Sequence, residues 1–173
     1  MRYAVILLSG IATAALTSFS IRPKLTVTSS AFIAGQMIPV KYSCEGAEVS
    51  PPLHIVDIPG NAKSLAIILH DPDAPVKGGF THWVKWNVDV MPDIPENFMG
   101  GHTGLNSANK NSYKGMCPPS GTHHYYFSVY ALDAKLDIDL NTDKTSLEKE
   151  MQGHILAEGE LMGLYKKSTI SMK

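Results

Sequence analysis

HDPDAPVKGGFTHWVKWNV, residues 70–88, joins a rigid acidic turn to an apolar segment that opens on histidine. Both prolines of the DPDAP turn fix φ and remove an N–H, so Asp71 and Asp73 sit in a pre-shaped bend. That rigidity lowers the entropy cost of aiming two carboxyl groups; the plain alternative is an Asp-Pro turn that only caps its own backbone. Before the turn runs SLAIILH (64–70) and after it HWVKWNVDV (82–90), both short, rich in β-branched or aromatic residues, and bounded by turn formers. Two strands joined by a functional turn is the reading.

The same pattern recurs outward along the chain. KLTVTS (24–29), MIPVKYS (37–43), HHYYFSVYAL (123–132) and KSTISM (167–172) read as further strands. The connection 91–122 is long and dense in Gly, Asn, Ser and Pro, and loops of that length in a compact domain are usually functional. One helix is expected, where Thr145 and Glu148 form a capping box and Leu147, Met151 and Ile155 share a face. A second helical turn over 158–164 is weakened by its glycines. The result is a mostly β domain with one or two peripheral helices near the C-terminus.

Composition agrees with one domain. The chain has 173 residues, 44% hydrophobic and 18% charged, with 15 Lys+Arg against 16 Asp+Glu. Near-neutral charge without a basic stripe argues against nucleic acid as a partner. Residues 1–20 carry one cation, Arg2, then an apolar run over 4–16 that is too short to span a bilayer. That is the layout of a secretory signal peptide, cleaved near Thr17 or Ser20, leaving 21–173 as the mature domain in the periplasm or secreted. Cys44 and Cys117 are the only cysteines. In an oxidising compartment they can form one disulfide, worth on the order of 4 kcal/mol; two separate buried thiols are the alternative, since sequence gives no distance.

Strand alternation points His123 the same way as Tyr125, and His124 and Tyr126 the other way. His123 follows Pro118, Pro119 and Gly121, and His82 follows Gly78 and Gly79, so both stand at loop-to-strand junctions. With Asp71 and Asp73 they can converge on one cavity. His54, His102, His124 and His154 are expected to be structural.

The combination DPDAP, FTHWVKWN and CPPSGTHHYYFSVYAL resembles the phosphatidylethanolamine-binding protein family, also called Raf-kinase-inhibitor-like, in its bacterial and archaeal branch. YSCEGAEVSPPL (42–53) resembles that branch's Cys-Gly-Ser-Pro region, and GHILAEGELMGLYKK (153–167) its C-terminal helix and final strand. The resemblance implies a two-sheet β core with a small anion-accepting pocket lined by Asp71, Asp73, Pro75, Phe80, His82, Pro119, His123 and Tyr125. It further implies a possible homodimer. Departures from the family pattern are Met116 before the Cys-Pro-Pro run, His124 where arginine is usual, and Lys85 in a usually apolar run, expected to point outward.

The function these residues imply is an exported, non-enzymatic binding protein. Its pocket takes a small anionic ligand, such as phosphate or a phospholipid head group, and it resembles a kinase or protease inhibitor in its possible protein partners. His82 and His123 are expected to accept the anion when protonated. The alternative is a loop-surface interaction protein or host-signalling modulator whose pocket is vestigial. A hydrolase is the weaker third reading, because HExxH, GxSxG and CxxC are absent from the sequence. No cofactor or metal is expected.

Overall fold

The computed structural model describes residues 23–168. The expected leader, and the end of the expected strand at 167–172, lie outside the described residues. Among the described residues eight strands form two antiparallel sheets. The small sheet has the order β1-β2-β5, from Thr26–Thr28, Leu53–Val56 and Asp93–Ile94. The large sheet has the order β6-β4-β3-β7-β8, from His102–Thr103, Phe80–Val88, Ser64–Asp71, Thr122–Leu132 and Ile155–Lys166.

β3 is the central strand of the large sheet, and Ser64–Leu69 are buried throughout. Its two faces explain why the segment is a continuous apolar run rather than an alternating one. Leu65, Ile67 and Leu69 face a core shared with Val27, Leu53, Ile55 and Ile94 of the small sheet. Ala66 and Ile68 face a second cluster with Val84, Trp86, Leu147 and Met151. The second cluster is closed by α1, Lys144–Glu150, which packs Leu147 over the outer face of the sheet.

Three expectations are corrected. The helix exists, but its cap is Asp143, which accepts from the Ser146 N–H, and Ile155 already belongs to β8. The expected helical turn at 158–164 is the middle of β8, paired from end to end with β7. Its glycines serve close approach: a Cβ on Gly159 would lie 2.3 Å from the Leu25 carbonyl oxygen, and one on Gly163 2.6 Å from Ile38 Cγ1. At 37–43 a single bridge at Met37 gives way to a 3-10 turn over Val40–Tyr42, entered from Pro39. The expected strands 64–70, 82–90 and 123–132 fall within two residues of their expected ends, and 24–29 shortens to the three residues of β1.

The antiparallel order sets the location of the site. β3 ends, and β4 and β7 begin, at the same edge, so Asp71 pairs with Phe80 while His70 pairs with Tyr126.

Candidate functional site

The end of β3, the start of β4, the turn between them and the segment 114–119 enclose a cavity of about 250 Å³ at this edge. Asp71, Pro75, Phe80, His82 and Pro119 line it, as do Ala74, Val76, Lys114, Gly115, Cys117 and Pro118, which sequence reasoning did not select. The remaining three expected residues stand around it. His123 and Tyr125 are buried behind the wall, and Asp73 lies at the rim, where it accepts from both the backbone N–H and Nδ1 of His124.

Asp71 is 2% exposed and fully engaged. Its Oδ1 accepts from the N–H groups of Asp73 and Ala74 at 2.8 and 3.1 Å, and its Oδ2 accepts from His123 Nδ1 at 2.8 Å. The first carboxylate of the turn therefore does what an Asp-Pro turn does for its own backbone and also orients a histidine from a different strand. With Nδ1 of His123 committed, Nε2 is the ring's remaining polar atom.

His82 reaches the cavity through a β-bulge. Pairing passes from Leu69 with Trp83 to His70 with Thr81, which leaves His82 as the extra residue. Its Nδ1 donates to the Lys114 carbonyl at 2.8 Å, and its ring contacts Phe80 and Tyr125 at 4.7 and 5.4 Å between centroids. Burial pushes its pKa down to about 4. At neutral pH it is thus an uncharged ring whose Nε2 accepts, not the cationic donor expected for both histidines.

Tyr125 is fully buried, and its hydroxyl makes no hydrogen bond of ordinary length, the Asp71 carboxylate being a weak partner at most. Burial, and then the Asp71 carboxylate, hold that phenol protonated. The fixed cation on the wall is Lys114, whose Nζ meets Glu48 Oε1 at 2.7 Å. Glu48 also accepts from the Gly115 N–H, and Lys114 N–H donates to the His82 carbonyl. The wall is clasped from behind by a Cys44–Cys117 disulfide, which resolves the choice the sequence left open.

Other histidines take structural partners. His54 pairs with Asp93 and His154 with Asp133, each through Nδ1, while His102 lies 5.6 Å from the Trp86 ring. His124 pairs with Asp73 at 2.6 Å, so the residue standing in place of the usual arginine still ties down the rim aspartate. Lys85 is the clear departure: it is 1% exposed, lies over Phe98 at 5.4 Å, and donates to Thr103 Oγ1 at 3.0 Å. Among the described residues no cluster of three or more His, Cys, Asp or Glu is arranged to hold a metal ion.

In chemical terms the cavity has apolar walls of proline, phenylalanine and valine, an acceptor on His82 and Lys114 at its side, with the Tyr125 hydroxyl buried behind them. Comparison with known proteins agrees with this architecture. The family profile described as phosphatidylethanolamine-binding protein matches residues 28–166. A UPF0098 protein of Pyrococcus abyssi is 44% identical over 155 residues, spanning 83% of this chain and 86% of its own. The crystal structure of a phosphatidylethanolamine-binding protein homologue from Chlamydia trachomatis superposes with a TM-score of 0.80 at 42% identity, covering 84% of this chain and 99% of that one. E. coli YbcL, a member of the mammalian family by its own description, gives 0.77 at 28% identity, again over 84% and 99%. From its central strands to the matched profile, the chain belongs to the phosphatidylethanolamine-binding protein family.

Proposed function

We propose that the protein binds, without turning over, a small anionic group such as a phosphomonoester or phospholipid head group in the cavity at Asp71, His82 and His123. The observation that carries this reading is the apolar-walled cavity lined by His82 and Lys114, with the Tyr125 hydroxyl buried behind it and held by the Asp71 carboxylate at best weakly. A buried donor so weakly held costs free energy, and a ligand oxygen would relieve it. The neutral His82 refines the ligand: a ring that accepts at Nε2 suits a phosphate oxygen that still carries its proton. The Asp71 carboxylate on the wall is already met by His123 Nδ1 and by the N–H groups of Asp73 and Ala74, donors that offset its charge toward an anion. Apolar Pro75, Phe80 and Pro119 would cover the ligand's uncharged part.

Calorimetric titration with phosphorylethanolamine tests the reading. Binding is expected to strengthen as pH falls from 8 to 5.5, because the phosphate monoester gains the proton that neutral His82 accepts; affinity that is flat or rises with pH overturns the mechanism. Tyr125→Phe sharpens it. Removing the buried hydroxyl should leave stability equal or raise it by about 1 kcal/mol, while weakening binding about tenfold. Unchanged affinity would make that hydroxyl a bystander.

Export fits the same reading. Residues 1–20 have the layout of a leader, and a disulfide persists where the surroundings are oxidising. The N-terminal sequence of the protein recovered from a cell's exported fraction, beginning near residue 18 or 21, is the check. A second reading, protein binding through loops, is favoured by Ile33, Met37 and Val40, all large, apolar and exposed near the 3-10 turn. His123→Ala separates the two, since it should abolish anion binding and leave such capture intact.

A further inference from the structure

We propose that Cys117 is a capture site for a small thiol that carries an anionic group, held in the cavity while it exchanges with the Cys44–Cys117 disulfide. The inference rests on the anion-pocket reading and adds a ligand class to it. Cys117 is exposed and lines the cavity, whereas Cys44 is half-buried and does not. A thiolate seated in the cavity therefore meets the disulfide at its Cys117 end, and access decides which sulfur is attacked.

The exchange balances without an outside oxidant or reductant. The ligand thiolate forms an S–S bond to Cys117 Sγ, the Cys44–Cys117 bond breaks, and Cys44 leaves as a thiolate that takes a proton from solvent. The reverse attack by Cys44 on Cys117 expels the ligand thiolate and restores the disulfide. Lys114 on the same wall, which also meets Glu48, offers the ligand's anionic group a cation to share.

The wall is built to survive the opening. Independently of the disulfide, Cys44 N–H donates to the Met116 carbonyl, Lys114 N–H to the His82 carbonyl and Gly115 N–H to Glu48. Residues 114–117 thus keep their backbone attachments while the sulfur bond exchanges. The two sulfurs stay close, and re-closure competes with release of the chain.

The test uses a matched pair of thiols, 2-mercaptoethanesulfonate and 2-mercaptoethanol, offered to the oxidised chain at equal thiolate concentration, quenched with iodoacetamide and mapped by peptide mass. The expected result is sulfonate thiol on Cys117 and alkylation on Cys44, forming about tenfold faster than with the neutral thiol and slowed by inorganic phosphate. Equal rates for the two thiols, an adduct mapped to Cys44, or insensitivity to phosphate would each overturn the proposal if calorimetry on the same sample registers phosphate binding. Absence of phosphate binding by calorimetry would instead remove the anion reading and this proposal with it. Cys44→Ser offers a second route: with the disulfide of mercaptoethanesulfonate, its Cys117 should form an adduct that cannot re-close, again faster than with the neutral disulfide. Equal rates there would count against capture in the cavity.

Discussion

His82 and Lys85 stand three positions apart on one strand, and burial pushes the pKa of each down, to about 4 and about 8. For His82 the unfolded chain binds its proton from about pH 6.5 downward while the folded chain does not until about 4. Stability should therefore fall as pH drops through that window, by up to about 3 kcal/mol from this group. Denaturant unfolding at pH 7 and 4.5 should register the loss, and His82→Gln should reduce it. Lys85 keeps its charge at neutral pH in an apolar setting with Thr103 as its hydrogen-bond acceptor. Lys85→Met should raise stability at pH 7 by about 1 to 3 kcal/mol and remove a rise in stability between pH 8 and 10.5. A loss of stability in that variant would assign the lysine a structural role that burial alone does not predict. Strand parity placed Lys85 outward, opposite His82; the bulge at His82, and a second where Asn87 takes φ 52°, reset the alternation on both sides. Neither bulge has a sequence signal beyond Asn87 itself, which is why side-chain direction was the least legible property of this strand.

At the scale of elements, β8 is where local propensity and tertiary pairing disagree. EGELMGLY carries helix formers, yet the segment completes the edge of the large sheet beside the eleven residues of β7. A pairing partner so long outweighs a propensity worth tenths of a kcal/mol per residue. The glycines that weakened the helical reading are what let the chain at Leu25 and Ile38 cross β8 closely. Gly159→Ala gives opposite signs under the two readings. In a helix it would stabilise by about 1 kcal/mol; in this strand, with a carbonyl oxygen 2.3 Å from the new Cβ, it should destabilise by about 2 kcal/mol or more. Urea midpoints decide. The elements that were legible, β3, β4, β7 and α1, are those whose apolar pattern and bounding turns agree with their final environment.

Across the whole molecule, the two sheets close one core and the disulfide joins positions 73 residues apart. In the chain-entropy account that closure is worth on the order of 4 kcal/mol, so reduction should lower the urea midpoint markedly without altering the oxidised fold's sheet content. A midpoint that does not move on reduction would mean that the unfolded chain is already held compact. Most residues selected from sequence do meet at one edge, because DPDAP and the proline-led segment before His123 both mark strand ends; Lys114, Gly115 and Cys117 joined them only through the fold.

The cavity draws its walls from residues 71–82 and 114–119, with His123 behind them, and the three strand ends align only after β3 has paired on both sides. Those pairings are distant in the chain, so the site can assemble only late in folding, after the slow search for β7 is complete. A nascent chain emerging from synthesis up to residue 121 has every lining residue but lacks β7, and with it the His123 that orients Asp71 and the strand that pairs with β3. If the cavity binds as proposed, recognition would be a certificate of completed folding: only a finished chain could be occupied, and occupancy would withhold that chain from unfolding and from the proteases that follow it.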